Sequence, residues 1–302
     1  MNPHRKRIRV GTRGSLLART QTNLVVQQIQ ALYPELDFVV QTIQTTGDAR
    51  QNVPFAAVGT KGMFVKEIEQ ALLDGEIDLG VHSLKDMPSD LPQGLALVCI
   101  PLREDPLDAL LCRDSATLLT LPHGATVGTS SLRRQTQIRA LRPDLQLQEL
   151  RGNLDTRLRK LDTGEYDAIM LACAGLNRLG LGARITERLA PDICCPAVGQ
   201  GALALEARAD NDDLRALLLP LHHANTAEAV RAERAFLRRL EGGCSIPAGA
   251  FAEISDDQLM IRGVLASEDG RTLWTDNKIG KNSQSEELGT ALAESLLAQS
   301  KQ

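Results

Sequence analysis

Short apolar runs alternate with longer amphipathic stretches through the first 200 residues, a pattern typical of strands and helices layered in an α/β fold. The alternation pauses at Pro101–Pro106 and again at Cys195–Gly201. The predicted strands are Ile8–Gly11, Phe38–Ile43, Ile77–His82, Leu95–Ile100, Ala109–Cys112, Ala125–Gly128, Leu145–Leu150, Asp167–Leu171 and Ala202–Ala207. The predicted helices are Leu16–Leu32, Met63–Leu73, Leu132–Leu141, Leu154–Leu161 and Leu176–Leu179.

The pattern changes after Pro220 and predicts a small α+β third domain. It consists of a helix over Thr226–Leu240, three strand-like runs between Pro247 and Ile279, and a closing helix over Glu286–Leu297. The strand Ala202–Ala207 is expected to return to the first domain. The expected division is 1–101 with 202–219 for domain 1, 107–195 for domain 2 and 224–302 for domain 3.

The amino-acid composition argues against some classes of partner and location. A chain of 302 residues with 43% hydrophobic and 24% charged residues is ordinary for a folded protein of two or three domains. Aromatic residues make up only 3%, the net charge is -4 and the pI is about 5.8, so no nucleic-acid partner is expected. No apolar run approaches the roughly 20 residues of a membrane span. The basic N-terminal segment lacks the apolar stretch of a signal peptide, which predicts a cytoplasmic protein.

Five of the six cysteines lie mostly in apolar stretches and are interpreted as small buried hydrophobic residues, and no metal site is predicted. Cys244 differs because it lies in the glycine-rich loop Glu241–Pro247, between a helix and a strand. Two glycines would expose its thiol. The loop fits a C-capping turn that happens to contain cysteine, and it also fits a nucleophile or attachment point. No histidine accompanies Cys244 in sequence, which disfavours cysteine-protease chemistry.

Two segments, Gly11–Ser15 and Gly128–Ser131, each follow a strand, run from Gly-Thr to Ser, and lead into a helix. Either one alone would be an ordinary helix cap, but each is accompanied by arginine, and together they favour a site for a polyanionic ligand. The stretch Val127–Lys160 holds eight basic and three acidic residues, a net charge of +5. Arg133-Arg134 and Arg151–Asn153 follow strands, where α/β sheets bind ligands, and arginine suits carboxylates.

The segment Val81–Pro88 places polar residues at the end of an apolar strand. His82 fits a core histidine better than a catalyst. Lys85 and Asp86 fit a surface ion pair worth about 0–1 kcal/mol. Alternatively, a carboxylate at this position would stabilise positive charge that develops on a substrate. The pattern alone leaves both interpretations open.

Taken together, these motifs resemble the porphobilinogen deaminase (hydroxymethylbilane synthase) family nearly end to end. The resemblance implies two domains like those of periplasmic binding proteins plus a small α+β domain that carries a cofactor cysteine. It also implies a deaminating transferase that condenses four porphobilinogen molecules head to tail into hydroxymethylbilane, on a covalently bound dipyrromethane primer, in tetrapyrrole biosynthesis. The landmarks are Gly11–Ser15, Gly59–Phe64, Val81–Pro88, Gly128–Arg134, Leu150–Asn153, Thr156–Leu158, Pro196–Gly201 and Leu240–Cys244.

The resemblance assigns roles to individual positions. Cys244 matches the cysteine that forms a thioether to the dipyrromethane, and Asp86 matches the catalytic aspartate, which stabilises the cation left when ammonia departs. Ala57 departs from the family, many members of which have lysine there. Further cofactor-binding positions are Lys61, Ser83, Lys85, Thr129, Ser131, Arg133, Arg134 and Gln200. Substrate-binding positions are Arg13, Ser15, Gln21, Phe64, Arg151, Gly152, Asn153, Arg157 and Arg178.

Two other functions stay open at this point. A non-catalytic binding protein for a small anion would suit the first two domains, but it gives no reason for a lone cysteine in a glycine-rich loop. A transferase that uses the thiolate directly would not need Asp86. The family resemblance further implies a monomer whose small-molecule partner is porphobilinogen.

Overall fold

A computed structural model describes residues 7–46, 65–241, 247–267 and 269–301. The chain forms two compact units, Met1–Arg103 with Ala202–Ala227, and Glu104–Gly201 with Glu228–Gln302. The strands are β1 (Arg7–Arg13), β2 (Asp37–Ile43), β3 (Leu79–Ser83), β4 (Leu95–Cys99), β5 (Asp108–Cys112), β6 (Thr126–Gly128), β7 (Gln146–Gln148), β8 (Ala168–Ala172), β9 (Glu187–Leu189), β10 (Leu203–Arg208), β11 (Ala248–Ser255), β12 (Gln258–Ala266) and β13 (Leu273–Lys281). The α-helices are α1 (Leu16–Leu32), α2 (Lys66–Leu73), α3 (Leu132–Leu141), α4 (Leu154–Asp162), α5 (Cys173–Arg178), α6 (Asp212–Leu218), α7 (Ala224–Glu241) and α8 (Ser285–Gln299).

The first unit is built on a five-stranded sheet with the order β2-β1-β3-β10-β4. Strand β1 runs parallel to β2 and β3, and the returning strand β10 is antiparallel to β3 and β4. Val10 packs with Ile29 of α1, whereas a side chain at Gly11 would meet Ile68 of α2. Because successive strand residues point to opposite faces, α1 and α2 cover the two faces of this sheet.

His82 lies in the core of this sheet, as the sequence favoured. Its Nε2 is 3.1 Å from Oε2 of Glu206 on β10, and both side chains are almost fully buried. Glu69 of α2 is also buried, and its pKa is raised by burial and then by the charge of Glu206. His82, Glu206 and Glu69 thus form a buried polar group next to β3, and His82 directly precedes Ser83.

The second unit contains a five-stranded sheet with the order β7-β6-β8-β5-β9. Strand β6 runs parallel to β7 and β8, and β5 is antiparallel to β8 and β9. Two hydrophobic clusters pack around it, one including Val127 and Ile138 and the other including Leu150 and Ile169. The carboxyl ends of β6, β7 and β8 therefore lie at one edge, where the sequence placed its basic motifs.

The C-terminal part of the same unit is a three-stranded antiparallel sheet with the order β11-β12-β13. Helices α7 and α8 pack on it through Phe236 and Leu292, both fully buried. A side chain at Gly289 of α8 would collide with the backbone oxygen of Ala232 in α7, so glycine permits the close crossing of these helices. This part is the small α+β region that the sequence predicted, and its last helix before the Cys244 loop is α7.

The mixed α/β class with a C-terminal α+β part is confirmed, and the division into three domains stays a prediction. Predicted helices Leu16–Leu32 and Leu132–Leu141 are confirmed with both ends. The predicted helix Leu176–Leu179 is wrong in its start, because α5 begins at Cys173. Within the described ranges, no helix is long and apolar enough to cross a membrane.

Candidate active site

In the first unit, the predicted site residues cluster where β1 and β3 end. These strands are adjacent and parallel, so Arg13 and the segment after Ser83 lie at the same edge of the sheet. Nη1 of Arg13 is 3.7 Å from Oδ2 of Asp86, and both side chains are partly exposed. Ser83 Oγ donates a hydrogen bond of 3.1 Å to Oε1 of the buried Gln21. The structure thus brings four predicted residues, from β1, α1, β3 and the turn after β3, into one small region.

Asp86 is carried by a single turn of 3-10 helix, Leu84–Asp86, that follows β3 directly. The buried Leu84 anchors this turn, and its backbone N–H donates to Ala202 O at 3.0 Å. Lys85 on the same turn is exposed. A carboxylate on an anchored turn, about one-third exposed, can contact a ligand without reorganising the core.

A serine caps α1 in the first unit and another serine caps α3 in the second unit, at the two Gly-Thr…Ser motifs. Ser15 Oγ accepts from Ala18 N at 3.2 Å at the start of α1. Ser131 Oγ accepts from Arg134 N at 3.4 Å at the start of α3. Ordinary capping is therefore part of what these serines do, and any ligand contact they make would be additional.

In the second unit, hydrogen bonds join the loops that follow β6 and β7. The backbone N–H of the buried Thr129 donates to Gln148 O at 2.8 Å, and Ser130 Oγ donates to Leu150 O at 2.7 Å. The backbone of Arg151–Asn153 therefore lies beside Thr129–Ser131. These are the positions that the sequence assigned to ligand binding.

Gly152 makes the second of these loops possible. Its φ is +112°, in the region that favours glycine, and an added Cβ would lie 2.6 Å from Thr156 Cγ2. Asn153 then caps α4 by accepting from Thr156 N at 3.0 Å. Arg157, one turn into the helix, donates from Nε to Gly152 O at 2.8 Å. Gly152, Asn153 and Arg157 thus form one local structure.

Arg133 and Arg134 are both almost fully buried and are held by the buried carboxylate of Asp108, at the start of β5. Arg133 Nη1 donates to Oδ2 of Asp108 at 2.6 Å, and Arg134 Nη2 donates to Oδ1 at 2.6 Å. Gln200 Nε2 donates to the same Oδ1 at 3.0 Å. The guanidinium groups hold the pKa of Asp108 well below its usual range, since their attraction exceeds the cost of burial. We call these four residues the Asp108 cluster.

The Asp108 cluster carries two guanidinium charges and one carboxylate charge, a net charge of +1. Nearby, burial and then the charge of Arg134 lower the pKa of Arg157. Burial also lowers the pKa of Arg178 to about 10, although its Nη2 donates to Gly201 O at 2.6 Å. Among the described residues, no carboxylate oxygen lies within 4.0 Å of Arg157 or Arg178.

This excess of positive charge determines which kind of ligand suits the edge of the second sheet where β6, β7 and β8 end. A guanidinium that loses hydration without gaining a carboxylate raises the free energy of the folded chain. A bound carboxylate would supply the missing partner through charge-assisted, often bidentate, hydrogen bonds. The edge is therefore suited to a ligand with several carboxylates. A neutral ligand would not offset the desolvation free energy of the guanidinium groups.

Replacing Arg178 by glutamine should raise the free energy of unfolding of the ligand-free chain by about 1 kcal/mol, because one unit of pKa shift corresponds to about 1.4 kcal/mol. The folded-state pKa of Arg178 is lower than the unfolded value, so at pH 7, where both states are charged, the full desolvation penalty is present. Loss of the hydrogen bond to Gly201 offsets part of the gain. Thermal unfolding at pH 7 measures the effect.

The matched control for this substitution is Arg188→Gln. Arg188 is half exposed and its Nε pairs with Asp105 at 2.9 Å, so its removal relieves no comparable penalty. A lower melting temperature for Arg178→Gln than for the wild type would contradict the assignment of Arg178 as a desolvated charge that Glu104 compensates only in part.

Three predicted residues, Cys244, Lys61 and Phe64, lie outside the described residues, as does Ala57. The residue that sequence reasoning missed is Asp108. Its signal is an acidic residue at the first position of an otherwise apolar strand, directly after Pro106-Leu107. An aspartate is rarely fully buried without a partner, and the arginine-rich stretch supplies two cations.

The sequence of this chain was compared with protein-family models and with curated proteins, and both comparisons find matches over nearly all of its length. A family model described as "Porphobilinogen deaminase, dipyromethane cofactor binding domain" matches residues 8–216, and "Porphobilinogen deaminase, C-terminal domain" matches residues 227–298. The porphobilinogen deaminase of Syntrophotalea carbinolica is 53% identical over 291 residues, covering 96% of this chain and 92% of the relative. That of Roseiflexus castenholzii is 51% identical over 293 residues, covering 97% of this chain and 96% of the relative.

Two solved structures are also similar to this chain. The methionine-binding protein MetQ matches with a TM-score of 0.44 and 16% identity, over 69% of this chain and 85% of its own. The periplasmic VFT2 domain of BvgS from Bordetella pertussis matches with a TM-score of 0.41 and 16% identity, over 71% of this chain and 86% of its own.

Proposed function

This chain belongs to the porphobilinogen deaminase family, and we propose on that premise how its own residues carry out the family's reaction. The chain is a transferase that uses a dipyrromethane cofactor and condenses four porphobilinogen molecules head to tail into hydroxymethylbilane. It therefore acts in tetrapyrrole biosynthesis. The assignment of individual residues to steps is the proposal.

The residues at the edge of the second unit fit a dipyrromethane. Each of its pyrroles carries an acetate and a propionate group, and the net charge of +1 in the Asp108 cluster attracts such carboxylates. When bound, the cofactor supplies the pyrrole carbon to which the first substrate is joined. We propose that the chain holds it through a thioether to Cys244 and through polar contacts from Lys61, Ser83, Lys85, Thr129, Ser131, Arg133, Arg134 and Gln200.

Asp86 is proposed to be the catalytic residue. Loss of ammonia breaks the C–N bond of the aminomethyl group of porphobilinogen and leaves a cationic azafulvene. Ammonia leaves from the protonated aminomethyl group, so the positive charge moves from the ammonium nitrogen to the pyrrole. A carboxylate near the pyrrole N–H stabilises the charge on the pyrrole more than the charge on the departing nitrogen, so it lowers the barrier. The new C–C bond forms when the α-carbon of the preceding pyrrole attacks, and that carbon then loses its proton. The anchored turn Leu84–Asp86 suits this role because its carboxylate is accessible and fixed in place.

Substrate carboxylates are proposed to bind the remaining cations and nearby donors. Arg13 is central because its guanidinium lies 3.7 Å from Asp86. A porphobilinogen carboxylate held by Arg13 would therefore place its pyrrole close to the catalytic carboxylate. The other proposed substrate contacts are Ser15, Gln21, Phe64, Arg151, Gly152, Asn153, Arg157 and Arg178.

One observation supports these assignments more than any other. Arg157 and Arg178 are desolvated, have lowered pKa values, and have no carboxylate within 4.0 Å in the described part of the chain. Such side chains are costly in a protein without an anionic ligand, and a growing chain of pyrrole carboxylates removes that cost.

Incubation of the purified chain with porphobilinogen tests the function directly. We expect release of one ammonia for each porphobilinogen consumed, and a product that yields porphyrin absorbance after acidification and oxidation. Both quantities are followed over time in the same sample. Binding of porphobilinogen without ammonia release would instead indicate the non-catalytic anion-binding protein.

We further propose that the chain acts as a cytoplasmic monomer without a nucleic-acid partner. The described cysteines, Cys99, Cys112, Cys173, Cys194 and Cys195, are free thiols, which suits a reducing compartment. The net charge of -4 opposes binding to phosphate backbones. Light scattering coupled to size exclusion tests the monomer, and a mass of twice the chain would contradict it.

A further inference from the structure

The carboxylate of Asp108 has no role in the reaction as proposed, yet among the described residues of the arginine-rich edge it accepts the most hydrogen bonds. Its Oδ1 accepts from Arg133 Nη2 at 3.2 Å, from Arg134 Nε at 3.0 Å and Nη2 at 2.6 Å, and from Gln200 Nε2 at 3.0 Å. Its Oδ2 accepts from Arg133 Nη1 at 2.6 Å and from Cys194 Sγ at 3.3 Å. A carboxylate offers about four lone-pair positions, so Asp108 has no capacity left for a ligand group.

The two guanidinium groups differ in which of their N–H groups are already donated within the protein. Arg133 is oriented inward, since its Nη1 also donates to Cys195 O at 2.5 Å and contacts Cys194 Sγ at 3.6 Å. Arg134 is anchored at Nε and Nη2 by Asp108 and at Nη1 by Met170 O at 2.9 Å. A guanidinium has five N–H groups, so Arg134 keeps one on each Nη in a fixed orientation.

We propose that Asp108 is a positioning residue, which holds Arg134 so that its two remaining Nη N–H groups take one carboxylate of the dipyrromethane. This inference rests on the proposed function of Arg134 as a cofactor contact. The net charge of +1 in the Asp108 cluster matches a single ligand carboxylate. Because Asp108 fixes the guanidinium before binding, the entropy of ordering a long side chain is not lost again when the ligand binds.

A second buried carboxylate connects this cluster to the helix that precedes Cys244. Glu233 of α7 accepts from Gly199 N at 2.7 Å and from Ala252 N at 2.8 Å. Gly199 is adjacent to Gln200, which donates to Asp108 and to Pro106 O at 2.7 Å. Hydrogen bonds therefore run from α7 through the segment Gly199-Gln200 to Asp108. The orientation of Arg134 is thereby linked to the helix that carries the proposed attachment loop.

The test is the covalent loading of full-length chain produced without porphobilinogen. Loading is followed by intact mass after addition of porphobilinogen, over a range of concentrations, for the wild type and Asp108→Asn. We expect the half-saturating concentration for loading to rise roughly 100-fold in Asp108→Asn, the size of effect typical of a displaced positioning group. The control Asp144→Asn breaks an Arg–Asp pair away from the cluster, with Arg142, and should load as the wild type does.

A double-mutant cycle separates positioning from a general loss of structure. If Asp108 acts through Arg134, Asp108→Asn in an Arg134→Gln background should change loading little further. If Asp108→Asn instead raised the half-saturating concentration by the same factor in the wild type and in the Arg134→Gln background, the proposal would be overturned. Where Asp108→Asn does not unfold cooperatively, Asp108→Glu replaces it in the same cycle, because it keeps the charge and displaces the oxygens by one methylene.

The two failures are distinguishable. Wild-type loading by Arg134→Gln would refute the proposed cofactor contact of Arg134 and with it the role of Asp108. Impaired loading by Arg134→Gln together with wild-type loading by Asp108→Glu and Asp108→Asn would overturn only the positioning role, and leave the proposed function in place.

Discussion

Replacing Asp86 by asparagine should lower kcat for ammonia release from porphobilinogen by roughly 10²- to 10³-fold, the loss typical when one electrostatic stabiliser of a transition state is removed. Asparagine has nearly the same shape as aspartate but no charge, so it retains hydrogen bonding and loses attraction to the azafulvene cation. The side chain is about one-third exposed and its 3.7 Å pair with Arg13 contributes only about 0–1 kcal/mol, so the fold should tolerate the change.

The measurement combines turnover, melting temperature and intact mass. Asp86→Asn should melt near the wild-type temperature and should still bear the cofactor, while Asp86→Glu should retain more activity because the charge is kept. The control Asp74→Asn removes an exposed carboxylate at the end of α2 that accepts from Gln70 Nε2 at 2.8 Å, and it should turn over normally. Wild-type turnover by Asp86→Asn would exclude the proposed catalytic role.

Local signals predicted two helices that begin with a serine cap. Ser15 and Ser131 cap α1 and α3, and both helices were predicted with both ends. Helix α5 follows Ala172, which has no side chain able to cap it, and its start was predicted three residues late. Helix α6 was missed although Asn211 caps it by accepting from Leu214 N at 3.2 Å. Asparagine followed by two acidic residues, Asp212 and Asp213, is the sequence signal for such a start.

Short strands escape prediction for a different physical reason. Strand β9 spans Glu187–Leu189, and only Leu189 is buried. Three residues carry too little hydrophobic alternation to be recognised, and this strand exists because the backbone of β5 offers it hydrogen-bonding partners. The position of β9 is determined by its pairing with β5, which is distant in sequence and cannot be predicted from the local sequence pattern.

The same limit applies to the candidate site. The count of charges over Val127–Lys160 identified the basic edge, but the acidic partner of Arg133 and Arg134 lies outside that window, at Asp108. Sequence alone cannot tell an arginine that is neutralised by the protein from one that awaits a ligand. The structure shows how far each arginine is compensated: Arg133 and Arg134 share one carboxylate and keep a net charge of +1, whereas in the described part of the chain no carboxylate oxygen lies within 4.0 Å of the desolvated Arg157 and Arg178.

Replacing Cys244 by alanine should abolish both the covalent adduct and turnover, the largest effect expected of any single change in this chain. Burial raises the pKa of Cys99, Cys173 and Cys195 to about 12, so these thiols are protonated at pH 7 and are poor nucleophiles. None of these three thiols can therefore replace Cys244 as the attachment point of the pyrrole chain. Intact mass of the denatured protein should equal that of the bare polypeptide, and ammonia release should fall to background.

The control is Cys112→Ala, which removes a half-buried thiol from β5 and should leave both the adduct and turnover intact. Cys244→Ser separates attachment from packing, because serine preserves the size of the side chain but is a far weaker nucleophile. If the loop needed only a small polar residue, Cys244→Ser would support turnover. Since the proposal requires a sulfur–carbon bond, an active Cys244→Ser protein of bare-chain mass is the result that contradicts it.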